Sequence, residues 1–347
     1  MNARDAVNPT VRSICLFSSM PSSDAIVKLA GIERALISHG CTIQTKRYLA
    51  PVEMRVLQRA VSDPQVYLSV GSLSFDQATR QLDAFCELER MFCNVDLTDE
   101  VPREEHVDFL YELIRRAPSK TFNFAYTFTN ALSSPFFPAA AFDRPGFSIG
   151  LQATDLAAGC ETLDEWFAKM KAAWHRIAEA VGGIPGFLGI DSSVAPLGSG
   201  DGSFLAFVRR LCPGFRRSLI STCYVEVSRF VKNENDFPVG LCGLMFPCLE
   251  DFDLAAEYEQ GNFDLATSIY LSLHSGTGID TYPIGIDEEP RAVLDSLRLM
   301  RALAGKYSKP LSVRFISDGR SKIGERTVFG QEYLKDVVIR PISSGRR

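Results

Sequence analysis

The sequence predicts a layered α/β fold, and two observations support this prediction. Short apolar, β-branched runs alternate with amphipathic helical patterns through the N-terminal part of the chain. The chain has 347 residues, of which 46% are hydrophobic, so it can bury a large core. A disordered protein is therefore excluded, and the length fits one large domain or two modest ones.

The N-terminal elements follow this alternation in order. We predict strands at VRSICLF, TIQTKRYL and QVYLSVG, and helices at SSDAIVKLAGIERALISHG, VEMRVLQRAVS and SFDQATRQLDAFCELERMF. Further along, GFSIGLQA and LSVRFIS are predicted strands, and EEPRAVLDSLRLMRALAG is a predicted helix. The clearest helix starts at Thr162, which has capping-box spacing to Glu165, and His175 is interpreted as a boundary residue beside its apolar stripe.

A proline-rich stretch at 131–146, ALSSPFFPAAAFDRPG, is the candidate domain boundary. Its two adjacent phenylalanines and three alanines are too apolar for a solvated tether. We therefore predict one α/β domain over residues 1–343 with a packed connection at 131–146, where a subdivision is left open. Residues 344–347 are predicted to be a frayed tail.

Charge and composition exclude several classes of protein. The formal net charge is -5, so no strongly basic surface is expected and nucleic acid is not a predicted partner. The longest apolar runs are too short to cross a membrane or to act as a secretory signal, which predicts a cytoplasmic protein. The nine cysteines are scattered without a C-x-x-C pair, and we expect reduced thiols.

Three segments share one pattern, in which an apolar run ends in glycines and carboxylates before a helical pattern begins. They are FLGIDSSVAPLGSGDGSF, LCGLMFPCLEDFDLA and HSGTGIDTYPIGIDEEP. In α/β folds, loops that leave strand ends often bind ligands. The carboxylates in these loops are Asp191, Asp201, Glu250, Asp251, Asp253, Asp280 and Asp287.

If Asp191, Glu250 and Asp280 converge, they could hold a Mg²⁺, Mn²⁺ or Ca²⁺ ion or divide acid and base roles. Asp251 is a further candidate metal ligand. The alternative is structural, because acids such as Glu250 and Asp251 in a first helical turn complement the helix dipole. An Asx or Ser turn would likewise explain Asp191 with its serine neighbours.

The remaining candidates are nucleophiles, a base and positions near a ligand. Cys242 could act as a nucleophile if His274 reached it as a base, although ordinary packing also explains a cysteine between glycines. No nucleotide-binding motif is satisfied, since the GSGDGS stretch lacks the required spacing and lysine. The predicted ligand-binding residues are Ser192, Ser193, Cys242, Gly243, Gly276 and Gly278.

The same segments resemble the uncharacterised family known as domain of unknown function 711, or the UPF0210 proteins. The resemblance rests on GIDSSVAP, GLMFPCLEDFDLA, SGTGIDTYPI and the late FG of TVFGQEYL, and spans most of residues 121–330. It implies a ten-stranded α/β barrel similar to the pyruvate formate-lyase and ribonucleotide reductase fold. The recurring polar positions of the family fall on Asp191, Glu250, Asp251, Gly278 and Asp280.

The resemblance has limits within this chain. The late GERTVFGQEYLKD stretch departs from the loop of glycyl-radical enzymes, so no stored radical is expected. The chain is shorter than the bacterial UPF0210 type, and its His274 and Ser275 depart from those relatives. The family carries no established reaction that could be transferred to this chain.

From these observations we predict an enzyme that acts on a small polar metabolite, with metal-assisted hydrolysis or elimination as the least specific reaction class that fits. Its catalytic residues would be Asp191, Glu250, Asp280 and His274. A non-catalytic ligand-binding or regulatory protein for an amino acid or amine is the rival hypothesis. A third alternative is that the acids and glycines serve only the chain topology, and a homo-oligomer is left open.

Overall fold

The computed structural model describes residues 8–22 and 24–343. The tail predicted at 344–347 lies outside the described residues. Within them, twelve strands alternate with eleven α-helices. The strands are β1 (Thr10–Phe17), β2 (Thr42–Ile43), β3 (Lys46–Leu49), β4 (Val66–Leu73), β5 (Met91–Asp96), β6 (Phe124–Phe128), β7 (Ala131–Leu132), β8 (Ala140–Ala141), β9 (Gly146–Leu151), β10 (Phe187–Asp191), β11 (Gly278–Pro283) and β12 (Leu311–Ile316).

The helices cover the sheet and carry most of the amphipathic patterns seen in the sequence. They are α1 (Asp24–Ser38), α2 (Met54–Ala60), α3 (Phe75–Glu87), α4 (Glu104–Arg116), α5 (Leu163–Val181), α6 (Phe204–Leu211), α7 (Phe215–Ser218), α8 (Cys223–Asn233), α9 (Phe252–Glu259), α10 (Leu265–His274) and α11 (Pro290–Tyr307). None of the helices in residues 8–22 and 24–343 combines the length and apolarity needed to cross a lipid bilayer.

Ten of the strands form one mixed sheet in the order β10-β9-β1-β3-β4-β5-β6-β12-β11, with β2 beside β1 off this path. Seven of its strand pairs are parallel, and only β1–β9 and β6–β12 are antiparallel. β7 and β8 form a separate short pair. The protein is therefore an α/β protein with a large, mostly parallel mixed sheet, which confirms the predicted class at this level.

Two predicted elements have different limits in the structure. TIQTKRYL is two short strands, because the ladder is interrupted at Thr45, whose hydroxyl donates a 2.7 Å hydrogen bond to the Arg12 carbonyl. The helix predicted through ERMF ends at Glu87, and Met91 begins β5. The apolar residues after α3 suit a buried strand as well as a helix, so periodicity alone could not place this boundary.

The clearest predicted helix has the expected start and core. The Thr162 hydroxyl accepts a hydrogen bond from the Glu165 amide, while the Glu165 carboxylate accepts from the Glu161 amide and does not close the box on Thr162. Trp166 and Trp174 of this helix are fully buried. The proline-rich segment is packed, because Phe136 and Phe137 are buried, and all nine cysteines are free.

Candidate functional site

A cavity of about 450 Å³ lies against the large sheet. Seven strands of that sheet contribute side chains to its wall, together with the packed segment after β6 and the loop before α9. This size is typical of a small-molecule site. The polar and charged side chains on the wall include Arg12, Gln44, Thr45, Arg47, Tyr67, Asn123, Thr127, Asn130, Ser134, Glu250, Thr277, Asp280, Ser312, Arg314, Gln331 and Tyr333.

Two of the predicted carboxylates meet in this cavity around one buried arginine. Arg314 on β12 donates a 2.8 Å hydrogen bond from Nη1 to Asp280 Oδ1, and its Nη2 lies 3.8 Å from Glu250 Oε1. The same guanidinium donates to the Phe122 carbonyl at 3.0 Å and lies over the Phe122 ring. Glu250 and Asp280 therefore share one cation, although they are 30 positions apart in the sequence.

A β-bulge directs Asp280 toward the cavity. Ile279 pairs with Val313, and the next pair is Tyr282 with Phe315. Strand β11 therefore has one more residue than β12 between these two pairs. Thr281 takes up the extra residue with φ of 40°. A β-bulge changes the direction of the side chains next to it. Here the bulge lies next to Asp280, which pairs with Arg314.

Glu250 is the carboxylate most free to react. It is only 7% exposed, and its carboxylate accepts no hydrogen bond from any residue within the described ranges. Burial raises the pKa of Glu250, Arg314 opposes that rise, and Asp280 adds to it. A buried carboxyl with a raised pKa beside a like charge suits general acid–base catalysis.

Two further arginines in the cavity were missed by the analysis of the sequence. Arg12 lies on β1 and Arg47 on β3, and both line the cavity near Glu250. Arg12 in VRSICLF and Arg314 in LSVRFIS are each the single charge inside a strand-like run, whereas Arg47 in TKRYL follows another cation, Lys46. A lone charge within a buried strand is a usable signal, because burying it requires a partner or a function.

Asp191 is buried beside the cavity and is fully occupied by the protein itself. Its carboxylate accepts hydrogen bonds from the Ser134 hydroxyl at 2.7 Å, from the Ser193 hydroxyl at 2.6 Å, and from the amides of Ser193, Leu241 and Cys242 at 2.9–3.1 Å. It thereby joins β10 to the packed 131–146 segment and to the loop at 240–243. Ser134 and Leu241 line the cavity, so Asp191 fixes part of the wall.

The neighbours predicted to bind ligand are also engaged in local contacts. The Ser192 hydroxyl donates to the Val231 carbonyl at 2.5 Å, and the Ser193 hydroxyl accepts from the Gly243 amide at 3.0 Å. Burial, and after it the charge of Asp191, raises the pKa of the Cys242 thiol. Cys242 is therefore held as a protonated thiol, which is a poor nucleophile.

His274 lies at the end of α10, outside the cavity wall. Its Nδ1 is 2.7 Å from the Ser275 hydroxyl, and no hydrogen bond joins it to Cys242 in the part of the chain that the structure describes. The burial of His274 lowers the pKa of its imidazole. The structure thus places the predicted nucleophile and base in separate surroundings.

The three predicted glycines allow close approach of chain segments. A Cβ on Gly243 would lie 2.5 Å from a Thr277 methyl carbon, and one on Gly278 would lie 2.0 Å from the Ser312 carbonyl oxygen. Gly276 packs against Phe246. Thr277 and Ser312 line the cavity, whereas the glycines do not, so their contribution is to the packing behind the wall.

Asp251 caps two helices. Its Oδ1 accepts from the Ser203 hydroxyl at 2.6 Å and from the amides of Asp253 and Leu254 at the start of α9. Its Oδ2 accepts from the Leu205 amide in α6 at 3.2 Å. This arrangement agrees with the structural alternative for the acids of this loop.

Among the described residues, the group of three or more potential ligands within 4.8 Å of one another is Glu100, Glu105 and His106. Arg103 already pairs with both carboxylates, and its amide donates to His106 Nδ1 at 3.0 Å. Arg103 thus compensates both carboxylates at the start of α4, and His106 Nε2 lies 3.3 Å from Glu100 Oε1. The predicted divalent cation at Asp191, Glu250, Asp251 and Asp280 stays a prediction.

The large, mostly parallel mixed sheet and the charged cavity against it define the general class, an α/β protein with an internal polar site. Residues 114–332 match the family described as Uncharacterised ACR (DUF711), and the chain belongs to this family. The matched range includes Asp191, Glu250, Asp280 and Arg314, whereas Arg12 and Arg47 precede it. A comparison with curated proteins finds no match.

Proposed function

We propose that this protein is an enzyme that acts on a small polar metabolite in the cavity, with Glu250 transferring a proton to or from the substrate. The single observation that carries the proposal is the buried Glu250 carboxylate, which faces the cavity with a raised pKa and no hydrogen bond from the described residues. A carboxyl group whose pKa is raised in this way is suited to take up and return a proton during a reaction. Elimination or hydrolysis is the reaction class that this role fits.

Arg314 and Asp280 support this role as positioning residues. Arg314 holds Asp280 at 2.8 Å and leaves Glu250 at 3.8 Å, beyond hydrogen-bonding distance. Glu250 therefore retains basicity that a hydrogen-bonded ion pair would remove. If a divalent cation takes part, Glu250 and Asp280 would hold it, and it would supply Lewis-acid polarisation of the substrate.

We further propose that the sheet closes into the ten-stranded barrel that the resemblance implies. The segment before α9 supports this closure, because parallel bridges join Val194 to Leu244, Leu244 to Gly276, and Pro247 to Asp280. The segment thus lies between the extensions of β10 and β11, which are the two edges of the sheet. In a closed barrel the cavity would be the lumen.

The second candidate function is a non-catalytic receptor for an amino acid or amine. The presence of both signs of charge on one wall favours it, since Glu250 could accept an ammonium group while an arginine holds a carboxylate. Binding without turnover would distinguish this candidate from the enzyme.

The test is to incubate the protein with a cellular metabolite extract, with and without added Mg²⁺ or Mn²⁺, and to follow individual metabolites by mass spectrometry. We expect one small metabolite to be consumed, and Glu250→Gln to slow its consumption by about 10²–10⁴-fold. Glu179→Gln, on the exposed face of α5, is the matched control and should leave the rate unchanged.

Equal rates in the wild type and Glu250→Gln would contradict the proposal. Retention of a metabolite on the protein without any consumption would favour the receptor. The folding of each variant is checked by circular dichroism, so that a loss of rate is assigned to the carboxylate.

A further inference from the structure

We propose that the ligand of this cavity is a monocarboxylic acid, whose carboxylate is held by Arg12 and Arg47 and whose apolar body lies against the phenylalanines of the wall. This inference rests on the proposed function, because it names the substrate class of the same site. It concerns two residues that precede the range matched by the family.

Arg12 and Arg47 have polar partners but no counter-ion. Arg12 Nη1 donates to the Gln44 side-chain oxygen at 3.4 Å, and Arg47 donates to the Thr45 hydroxyl at 3.2 Å and to the Pro135 carbonyl at 3.0 Å. Neither forms an ion pair with any residue in 8–22 or 24–343, whereas Arg314 in the same cavity forms two. Their charges therefore face the cavity without a directly paired carboxylate from the described residues.

The two guanidinium groups also act on each other. Burial lowers the pKa of Arg47, and the charge of Arg12 lowers it further. Burial lowers the pKa of Arg12 as well, while the charge of Glu250 opposes that change. Both groups remain protonated at neutral pH, so an anion placed between them would relieve their repulsion and accept fork-like hydrogen bonds.

The charge balance of the wall indicates a single negative charge on the ligand. While Glu250 is ionised, Arg12, Arg47 and Arg314 supply three positive charges and Glu250 and Asp280 supply two negative charges, which leaves one positive charge. Glu89, the remaining charged residue on the wall, is exposed to solvent. A carboxylate neutralises this remainder, whereas a phosphate dianion would exceed it.

Another part of the wall is apolar and aromatic. Arg47 lies with its guanidinium carbon 5.1 Å from the centre of the Phe137 ring, and Phe137 packs against Phe92 with ring centres 5.6 Å apart. A carboxylate on Arg47 would thus have its carbon chain directed along aromatic surface. The other apolar residues on the wall include Phe122, Phe136, Leu197, Leu241, Met245 and Leu311.

The test measures binding of simple acids to the full chain by thermal shift and calorimetry. The probes are hexanoate, benzoate and phenylacetate, each compared with its neutral amide, and phenylphosphonate as the dianion. We expect at least one acid to raise the melting temperature while its amide and the phosphonate do not. No effect of any acid, or an equal effect of acid and amide, would overturn the inference.

Variants assign the binding to the two arginines. We expect Arg12→Gln and Arg47→Gln each to weaken binding of the acid roughly tenfold to a hundredfold, as loss of a charged hydrogen bond would do. Arg55→Gln, an exposed ion-paired arginine, is the matched control and should bind like the wild type. If one variant fails to fold, the other still decides. Unchanged affinity in a folded variant would overturn the inference.

The outcomes for the two proposals are separable. We expect Glu250→Gln to bind the acid at least as tightly as the wild type, because it removes a negative charge from the wall. Acid binding through the arginines, together with turnover that does not depend on Glu250, would remove the proposed function and leave this inference standing. Turnover that depends on Glu250, without binding of any of the acids, would support the proposed function and overturn this inference.

Discussion

Arg314 and Asp280, on the neighbouring strands β12 and β11, form a 2.8 Å ion pair in which both side chains are nearly buried. Glu250 lies 3.8 Å from the same guanidinium. One cation thus compensates two buried carboxylates on the wall of the cavity. The stability of the protein and the chemistry of Glu250 are linked through this arginine.

Removing that cation should destabilise the fold. We predict that Arg314→Gln lowers the free energy of unfolding by about 3–5 kcal/mol, because it leaves buried carboxylates without their partner. Urea denaturation measures the change. Arg115→Gln, on the surface of α4, should have little effect, and a similar loss in both variants would contradict the special role of Arg314.

The raised pKa of Glu250 should appear in the pH dependence of stability. The pKa of a Glu side chain in the unfolded chain is about 4.3. In the folded protein the pKa of Glu250 is higher, so its carboxyl group holds its proton more tightly. Between these two pKa values the folded state binds more protons than the unfolded state, so the contribution of Glu250 falls as the pH rises.

We therefore predict that wild-type stability decreases relative to that of Glu250→Gln as the pH is raised above about 4.3. Unfolding curves at a series of pH values measure the difference in the free energy of unfolding between the two proteins. All other titratable residues are the same in both, so the difference reports on Glu250. A difference that stays constant or changes in the opposite sense would show that the pKa of Glu250 is not raised.

Asp191 should matter for stability through the five hydrogen bonds that it accepts. In Asp191→Asn, an NH2 group replaces one carboxylate oxygen and faces other hydrogen-bond donors. We predict that the free energy of unfolding falls by about 3 kcal/mol or more. Asp201→Asn, at an exposed position, is the control. If Asp191→Asn were as stable as the control, the network around this carboxylate would not be as described.

Gly278 begins β11 and lies against β12. Its φ is +126°, and an added Cβ would lie 2.0 Å from the Ser312 carbonyl oxygen, so we predict that Gly278→Ala loses about 3 kcal/mol or more. Gly305→Ala in α11 meets no atom within 4 Å and should gain about 0.5–1 kcal/mol. Thermal denaturation of the two variants compares these effects, and equal stabilities would contradict the close approach at Gly278.

Parts of the site could be predicted from the sequence, because they follow from local patterns. Glu250 lies in the loop before α9, as predicted, whereas Asp280 lies on strand β11 and not in the predicted loop. Both residues were nevertheless predicted to meet, because strand ends bring neighbouring segments to one place. The local turn at Asp191 was one of the predicted alternatives, and the amide and hydroxyl of Ser193 donate to its carboxylate. The other donors could not be predicted, since they come from Ser134 and from the loop at 240–243, far away in the chain. Hydrogen bonds between distant segments leave no local pattern.

The arginines were missed for a different physical reason. Arg12, Arg47 and Arg314 lie within strands, where a long charged side chain commonly reaches solvent along an apolar surface. They come together through the tertiary fold, in which β1 lies beside β3 and β12 lies beyond β6. The alternation of helices and strands could be predicted from the sequence, but this order of strands could not.

A crystal structure of the protein grown with phenylacetate tests the central claim most directly. The account predicts density for the ligand inside the cavity, with carboxylate oxygens at about 2.8 Å from the guanidinium groups of Arg12 and Arg47 and the ring against Phe137. Density for the acid at another place on the protein, with only water between these two arginines, would contradict it.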